Sequence, residues 1–517
     1  MDVDQDAHSE RGSRRLRLAI YGAIVFLSAA LLMVLELVAA RLLAPYVGVS
    51  LYTWTSIIGV VLAGLSLGSW LGGVWADRGG GDQAAGMALA LAGLLSLAVL
   101  LLLTVVAPLL QASELSLLSA SFLYVLTLFF LPAVSLGVIT PLLTTLALRL
   151  DERQGHVVGR MHALGALGSI VGTFVAGYWL IQYLGTRVIV VGTSGMLFLL
   201  ALPFLMRARR RILVVLAAGV VAVLGLTQAR HGFDNPCDRE SQYYCIRIVD
   251  ASDSVPFGRA RAMVLDHLVH GINHDSEPAM LVSPYMHAMS ALVAEHFGAR
   301  NTALRYFFAG GGAYTQPRAV QAAFPDAQVT VAELDPVVTD LAVARLFVDV
   351  GPMRVRHMDA RMALRALEGE HFDVIVGDVF HDVAVPFHLT TQEFFELVKR
   401  RLTGDGIYVM NVVDASPDPL LVKSLVKTLG TVFRHVDVWL EEVPREPRRL
   451  TYVLSASDAR RLPPKIDAQR GFRRSWIRVT QPLLAEGTPL AEAPMLEDDY
   501  VPVDRLTAPL VTTPLGL

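Results

Sequence analysis

The 517-residue chain is 53% hydrophobic and only 18% charged, with a mean hydropathy of +0.49. That is too apolar for an ordinary soluble protein, and nearly all the long apolar runs lie before residue 230. The net charge of -3 argues against a nucleic-acid partner.

The opening stretch, MDVDQDAHSERGSRRLRLAI, puts arginines ahead of an apolar run and lacks a small-residue cleavage site. It predicts a cytoplasmic tail leading into a retained helix, not a removed signal peptide. A spanning helix needs about 20 apolar residues. Seven runs qualify, at about 18–40, 54–75, 84–107, 121–148, 158–183, 187–206 and 212–228. Pro132 and Pro141 predict a kink in the fourth. Gly168 and Gly172 give the fifth a GxxxG pair suited to close packing inside one bundle. Asp77 and Arg78 lie in WADRGGG, which resembles a short loop of major-facilitator transporters. Seven spans are too few for a complete transporter of that type, and no pair of interrupted helices in matching halves marks a transport site.

Arginines set the orientation. Arg11, Arg14, Arg15, Arg17, Arg78, Arg149, Arg153, Arg160, Arg207, Arg209, Arg210 and Arg211 fall on the N-terminal side, against Arg41 and Arg187 opposite. The N-terminus is expected inside, and everything after residue 228 outside. A run 212–228 that docks or lies at the interface is the competing reading, leaving the rest cytoplasmic. The chain has two cysteines, Cys237 and Cys245, just past that run. They suit a disulfide in an oxidising compartment, with two inert thiols as the alternative.

Residues 240–300 hold alternating runs, YYCIRIVD and RARAMVLDHLVHGI, that predict a small antiparallel β unit, then a helix at about 284–297. From 303 onward strands and helices alternate. Strands are expected at 303–308, 328–333, 353–357, 372–378, 406–413, 435–440 and 450–455, and helices at 316–324, 336–347, 361–368, 391–401 and 418–429. That alternation implies an α/β domain with a mostly parallel sheet, whose ligands bind beyond the carboxyl ends of its strands. In ALRYFFAGGGAYTQPR the apolar strand meets Gly310, Gly311 and Gly312 and then a helix start with Pro317. Glycines there let backbone N–H groups approach a ligand. Acids follow at successive strand ends: Glu333 and Asp335 in VAELDP, Asp359 in HMDAR, Asp378 in FDVIVGDVFHD. Each alone reads as a helix cap. Together behind a glycine turn they predict an adenosine-type pocket, with the acid after the second strand placed for ribose hydroxyls. The domains are expected at 1–230 (transmembrane), 231–300 (small β subdomain), 301–457 (nucleoside-binding Rossmann-like) and 458–517 (C-terminal extension).

GGGAYTQPR, AELDP, MDAR and GDVFHDVAVPFHLTTQEFFELVKRRLTGDGIYVMNVVD resemble the spermidine synthase, or polyamine aminopropyltransferase, family, in its membrane-fused bacterial branch. ESQYYCIRI and LDHLVHG resemble its N-terminal β segment. The resemblance implies a seven-stranded methyltransferase-type sheet. It implies transfer of an aminopropyl group from decarboxylated S-adenosylmethionine, a co-substrate and not a tightly bound cofactor, to an amine such as putrescine, releasing methylthioadenosine without a metal. It places Tyr244, Gly310, Gly311, Gly312, Glu333, Asp359, Ala360 and Pro386 against the nucleoside donor. It places Asp378, Asp382, Tyr285 and His270 against the amine, with Asp378 as catalytic acid–base group. The implied partners are a small amine, a nucleoside and the lipid bilayer, and a homodimer is compatible with it. Departures fall in the amine half. The family's aspartate in GGGDGG is Ala313, its glutamines are Tyr244 and His270, and its Tyr-His-Glu is Tyr285, Met286 and His287. These leave open a methyltransferase using intact S-adenosylmethionine, or a non-catalytic polyamine or nucleoside sensor or transport accessory.

Overall fold

The computed structural model describes residues 2–206, 209–300, 302–380, 385–444 and 446–512, without the side chains of 2–11 and 299. It divides into two compact units, residues 1–236 and 237–517.

The first unit is helical: α1 (Asp2–Val47), α2 (Leu51–Asp77), α3 (Asp82–Gln111), α4 (Leu117–Leu148), α5 (Gln154–Val175), α6 (Thr186–Leu205) and α7 (Arg210–Ala229). A π turn, Ala176–Leu180, and a last helical turn to Tyr183 extend α5. All seven predicted runs lie in helices long and apolar enough to cross a membrane. Ser50 and Ser116 cap α2 and α4 by accepting from the N–H groups of Thr53 and Ser119. Gly168 and Gly172 let α5 lie directly on the α1 backbone at Phe26 and Ala30, where a Cβ would strike a carbonyl oxygen. A second stripe was not foreseen: Gly64, Gly68 and Gly72 of α2 pack the same way on α4 between Phe130 and Val138.

The second unit opens with a four-stranded antiparallel sheet, β1 (Arg239–Glu240), β2 (Cys245–Asp250), β3 (Ala260–Leu265) and β4 (Leu268–His274). A Cys237–Cys245 disulfide closes its first hairpin. After α8 (Pro284–Phe297) the alternation begins: β5 (Arg305–Ala309), α9 (Thr315–Ala323), β6 (Gln328–Ala332), α10 (Pro336–Arg345), β7 (Arg354–Arg356), α11 (Ala360–Ala366), β8 (Phe372–Gly377), α12 (Gln392–Arg401), β9 (Leu402–Ala415), α13 (Leu420–Val432), β10 (His435–Leu440) and β11 (Arg449–Ser457). Two more strands, β12 (Lys465–Asp467) and β13 (Ser475–Arg478), join the seven expected ones. The sheet order is β12-β13-β10-β11-β9-β8-β5-β6-β7. Strands β7, β6, β5, β8 and β9 run parallel, and the others are antiparallel. The switch point therefore lies between β5 and β8, with the carboxyl ends of four neighbouring strands on one edge.

One buried cation ties the C-terminal segment to this sheet. Lys423 of α13 is 0% exposed and donates to Asp418 Oδ1 at 2.5 Å, to Thr488 O at 2.9 Å and to Glu486 O. Lys423→Met fills the space but takes the donor from three partly buried acceptors, a loss of roughly 1–3 kcal/mol for any that water does not reach. The expected result is faster proteolysis after residue 480 and a Tm lowered by several degrees. Unchanged proteolysis would show that the segment is held by other contacts.

Candidate active site

The glycine turn after β5 is shaped by its neighbours. Gly310 has φ +89°, and a Cβ there would strike the carbonyl of Asp378. Gly312 has φ +49°, and the left-handed region continues at Tyr314 with φ +56°, a conformation that a non-glycine residue adopts only when its surroundings hold it there. Tyr314 is fully buried, and its hydroxyl pairs with Thr339 Oγ1 at 2.7 Å.

Glu333 follows β6 and is 7% exposed. Its Oε2 accepts from the N–H of Gly311 at 2.8 Å and of Gly312 at 3.1 Å, and its Oε1 from the N–H of Asp335 at 2.9 Å. Burial pushes this carboxyl above its usual range, and the three amide donors pull the other way. Asp335 caps α10 through the N–H of Val337.

Asp359 follows β7 and caps α11 through the N–H of Met362 at 3.0 Å. Its Oδ2 also meets His388 Nε2 at 2.7 Å. Burial opposes ionisation, yet the His388 and Met362 hydrogen bonds together hold Asp359 below the usual carboxylate range. Ala360, buried, is the first residue of α11. Pro386 opens the 3-10 turn Phe387–Leu389 that carries His388.

Asp378 ends β8 and is half-buried. Its backbone N–H donates to Ala309 O, which fixes it beside the glycine turn. Tyr285 OH reaches its Oδ2 at 3.4 Å. Burial pushes Asp378 up to about 7, against the pull of side-chain hydrogen bonds from Asn411 and Tyr285. Asn411, 3% exposed on β9, has its Oδ1 buried without a hydrogen-bond partner among the described residues. From β4, His270 lies against Gly312, and burial lowers its imidazole to about 4. Tyr244 OH donates to Phe380 O at 3.4 Å. Asp382 lies outside the described residues. Ala313 is 1% exposed and packs in the apolar cluster beneath β4, presenting no polar group to the turn.

The predicted residues that are described thus gather on the carboxyl edge of β7, β6, β5 and β8, with β4 and the start of α8 alongside. His287 stands apart, near Trp476. It lines a mainly apolar cavity of about 430 Å³ between α8, α9 and residues 468–471, which contains none of the predicted site residues. Two residues beside the acids were not foreseen, His388 and Asn411. Asn411 had a signal, a lone amide inside the apolar run IYVMNVV.

A family model described as a spermine/spermidine synthase domain matches residues 326–466. A "probable polyamine aminopropyl transferase" of Bifidobacterium longum (strain NCC 2705) is 26% identical over 219 residues, 41% of this chain and 45% of that protein. A "polyamine aminopropyltransferase" of Vibrio vulnificus (strain CMCP6) is 30% identical over 115 residues, 22% of this chain and 38% of that protein. The chain therefore spans less than half the length of these curated relatives. Among solved structures, a probable spermidine synthase from Corynebacterium glutamicum ATCC 13032 aligns with 50% of this chain and 95% of its own, at 23% identity and a TM-score of 0.43. The match to a spermine/spermidine synthase domain falls within the second unit, at residues 326–466.

Proposed function

We propose that the chain is a membrane-anchored aminopropyltransferase that alkylates an amine with decarboxylated S-adenosylmethionine. The observation that carries it is the Asp378 carboxyl, fixed by Ala309 O and Tyr285 OH beside a glycine turn whose amides are gathered by Glu333. In this reading the glycine turn and Glu333 receive the nucleoside, Glu333 its ribose, while Asp359, Ala360 and Pro386 border the base. Tyr285, His270 and Asp378 face the amine. An alkylamine is cationic at neutral pH, with a reference pKa near 10. Asp378 attracts it and accepts one proton. The freed nitrogen lone pair then attacks the aminopropyl carbon bound to sulfur. The C–N bond forms, the C–S bond breaks, and its electron pair returns to sulfur, giving neutral methylthioadenosine. Tyr285 orients the carboxylate, and Asn411 Oδ1 supplies a second acceptor for the ammonium.

Ala313 sets an expectation about the donor. With no carboxylate at that position, one charge-assisted hydrogen bond to the donor's amine, worth roughly 1.5–3 kcal/mol, is missing. Decarboxylated and intact S-adenosylmethionine are expected to bind within about tenfold of each other, by calorimetric titration of the full chain. A preference above about a thousandfold would show that another residue holds the aminopropyl nitrogen.

In this reading the synthase-like unit lies outside the cytoplasm. α7 supports this: Val214, Val215, Val221, Leu224 and Leu226 are exposed, and Ile212–Leu226 contains no charged residue, so it has no polar face for an interfacial position. The disulfide supports it as well. A compartment-specific reporter fused after residue 235 is expected to work only outside, and Cys237 and Cys245 to label only after reduction. A cytoplasm-active reporter with freely labelled thiols would reverse the placement.

A further inference from the structure

We propose that the helical unit binds the phosphate headgroup of an anionic phospholipid in a basic pocket at the N-terminal-side end of α1 and α5. The pocket, about 460 Å³, is lined by Arg14 and Arg15 of α1, Arg153 of the α4–α5 turn, and His156 and Arg160 of α5. The one carboxylate lining it is Asp151, already engaged by Arg153 Nε and Nη2 at 3.3 and 3.2 Å. Arg15 and Arg160 make no hydrogen bond or ion pair among the described residues and are exposed, and His156, also exposed, interacts electrostatically with Asp151.

Three further features select a lipid. The glycine contacts of Gly168 and Gly172 fix α5 against α1, so the arginines of the two helices converge on one space. Arg14 and Arg15 immediately precede the apolar run that begins near Leu18, and Arg160 lies six residues beyond Gln154. At about 1.5 Å per residue that is roughly 9 Å, about the depth of a headgroup layer. The floor is apolar, made by Val157 and Met161, both buried. A glycerol backbone and the start of an acyl chain gain from that floor, whereas a free inorganic anion does not. A simple inside-positive signal needs charge on one side of the bilayer. It does not need three separate segments to meet around an apolar floor. Basic pockets of this form between membrane helices recognise anionic headgroups.

The test uses the full chain, purified in neutral detergent and in nanodiscs, with lipid retention counted by native mass spectrometry. Wild type is expected to retain phosphatidylglycerol and to release phosphatidylcholine. Arg15→Gln with Arg160→Gln should weaken phosphatidylglycerol at least about tenfold, while Arg15→Lys with Arg160→Lys stays within about threefold. Arg209→Gln with Arg210→Gln, which removes charge outside the pocket, should change nothing. Equal retention of phosphatidylcholine, or an unaffected glutamine variant, overturns the proposal. Displacement of phosphatidylglycerol by millimolar inorganic phosphate would make a free anion the ligand and overturn it too. Should the glutamine variant fail to fold, the wild-type lipid comparison and the lysine variant still decide.

Discussion

Asp378→Asn is expected to reduce turnover by at least about a hundredfold, the lower end of the range for a lost general base. Methylthioadenosine binding should survive, because the amides and acid assigned to the nucleoside belong to the glycine turn and Glu333. The pH profile gives a second readout. With Asp378 near 7 in the free protein, kcat/KM for wild type should climb through about pH 7 and then level off, and the variant should lack that limb. Stability should move the opposite way. An unfolded aspartate titrates near 3.9, so between about pH 4 and 7 the native state holds a proton that the unfolded state has lost. Wild-type stability therefore falls as pH rises through that window and stays lowered above it. Asparagine carries no such penalty, so the variant should melt higher than wild type, by a margin that grows from pH 4 to 7. Asp414, fully buried on β9 and also raised to about 7, imposes the same slope on both proteins and cancels in the difference. Near-normal turnover in the variant would remove Asp378 from the catalytic role, and a Tm that tracks wild type at every pH would show that burial does not raise it.

Glu333→Gln is expected to weaken nucleoside binding about a hundredfold, although it changes one atom. The glutamate offers two acceptor oxygens, one to Gly311 and Gly312 and the other to Asp335. A glutamine has one acceptor and one donor. Either orientation sets an NH2 group against a backbone N–H, so at least one hydrogen bond is lost and one repulsion is gained. Hydrogen bonds to a charged group are worth roughly 1.5–3 kcal/mol each, and the glycine turn loses the anion that holds its amides together. Titration with methylthioadenosine measures this. Affinity within about threefold of wild type would mean that the turn is preorganised by Tyr314 and Asp378 alone, and that ribose is held elsewhere.

These residues also show where the sequence was readable. A strand that runs into three glycines, and an acid at the end of each following strand, are patterns along one dimension. They mark the carboxyl edge of the sheet and its acids. Seven apolar runs did the same for the helices, because length and composition decide a span. What depends on a distant partner was not visible. Gly64, Gly68 and Gly72 matter because α4 lies across them. His388 matters because Asp359 lies 2.7 Å away. Strands β12 and β13 are short, and their flanks, LPPKID and RRSWIRV, carry proline and clustered arginine, so the pairing of β13 with β10, and of β12 with β13, makes them strands where local propensity does not. Lys423 would pass as a solvated helix residue until residues 486 and 488 are seen to fold back onto it. The proposed amine half is the least legible part, since Ala313, Tyr244 and His270 mark only a departure from the pattern that the chain resembles.

The most direct measurement incubates the full chain in detergent with a panel of diamines and either decarboxylated or intact S-adenosylmethionine, and reads all products by mass spectrometry. An aminopropyltransferase releases methylthioadenosine from the decarboxylated donor in a one-to-one ratio with an amine extended by one aminopropyl group, and Asp378→Asn does not. Formation of S-adenosylhomocysteine with a methylated amine, or tight binding of both ligands with no product from either donor, would contradict the account.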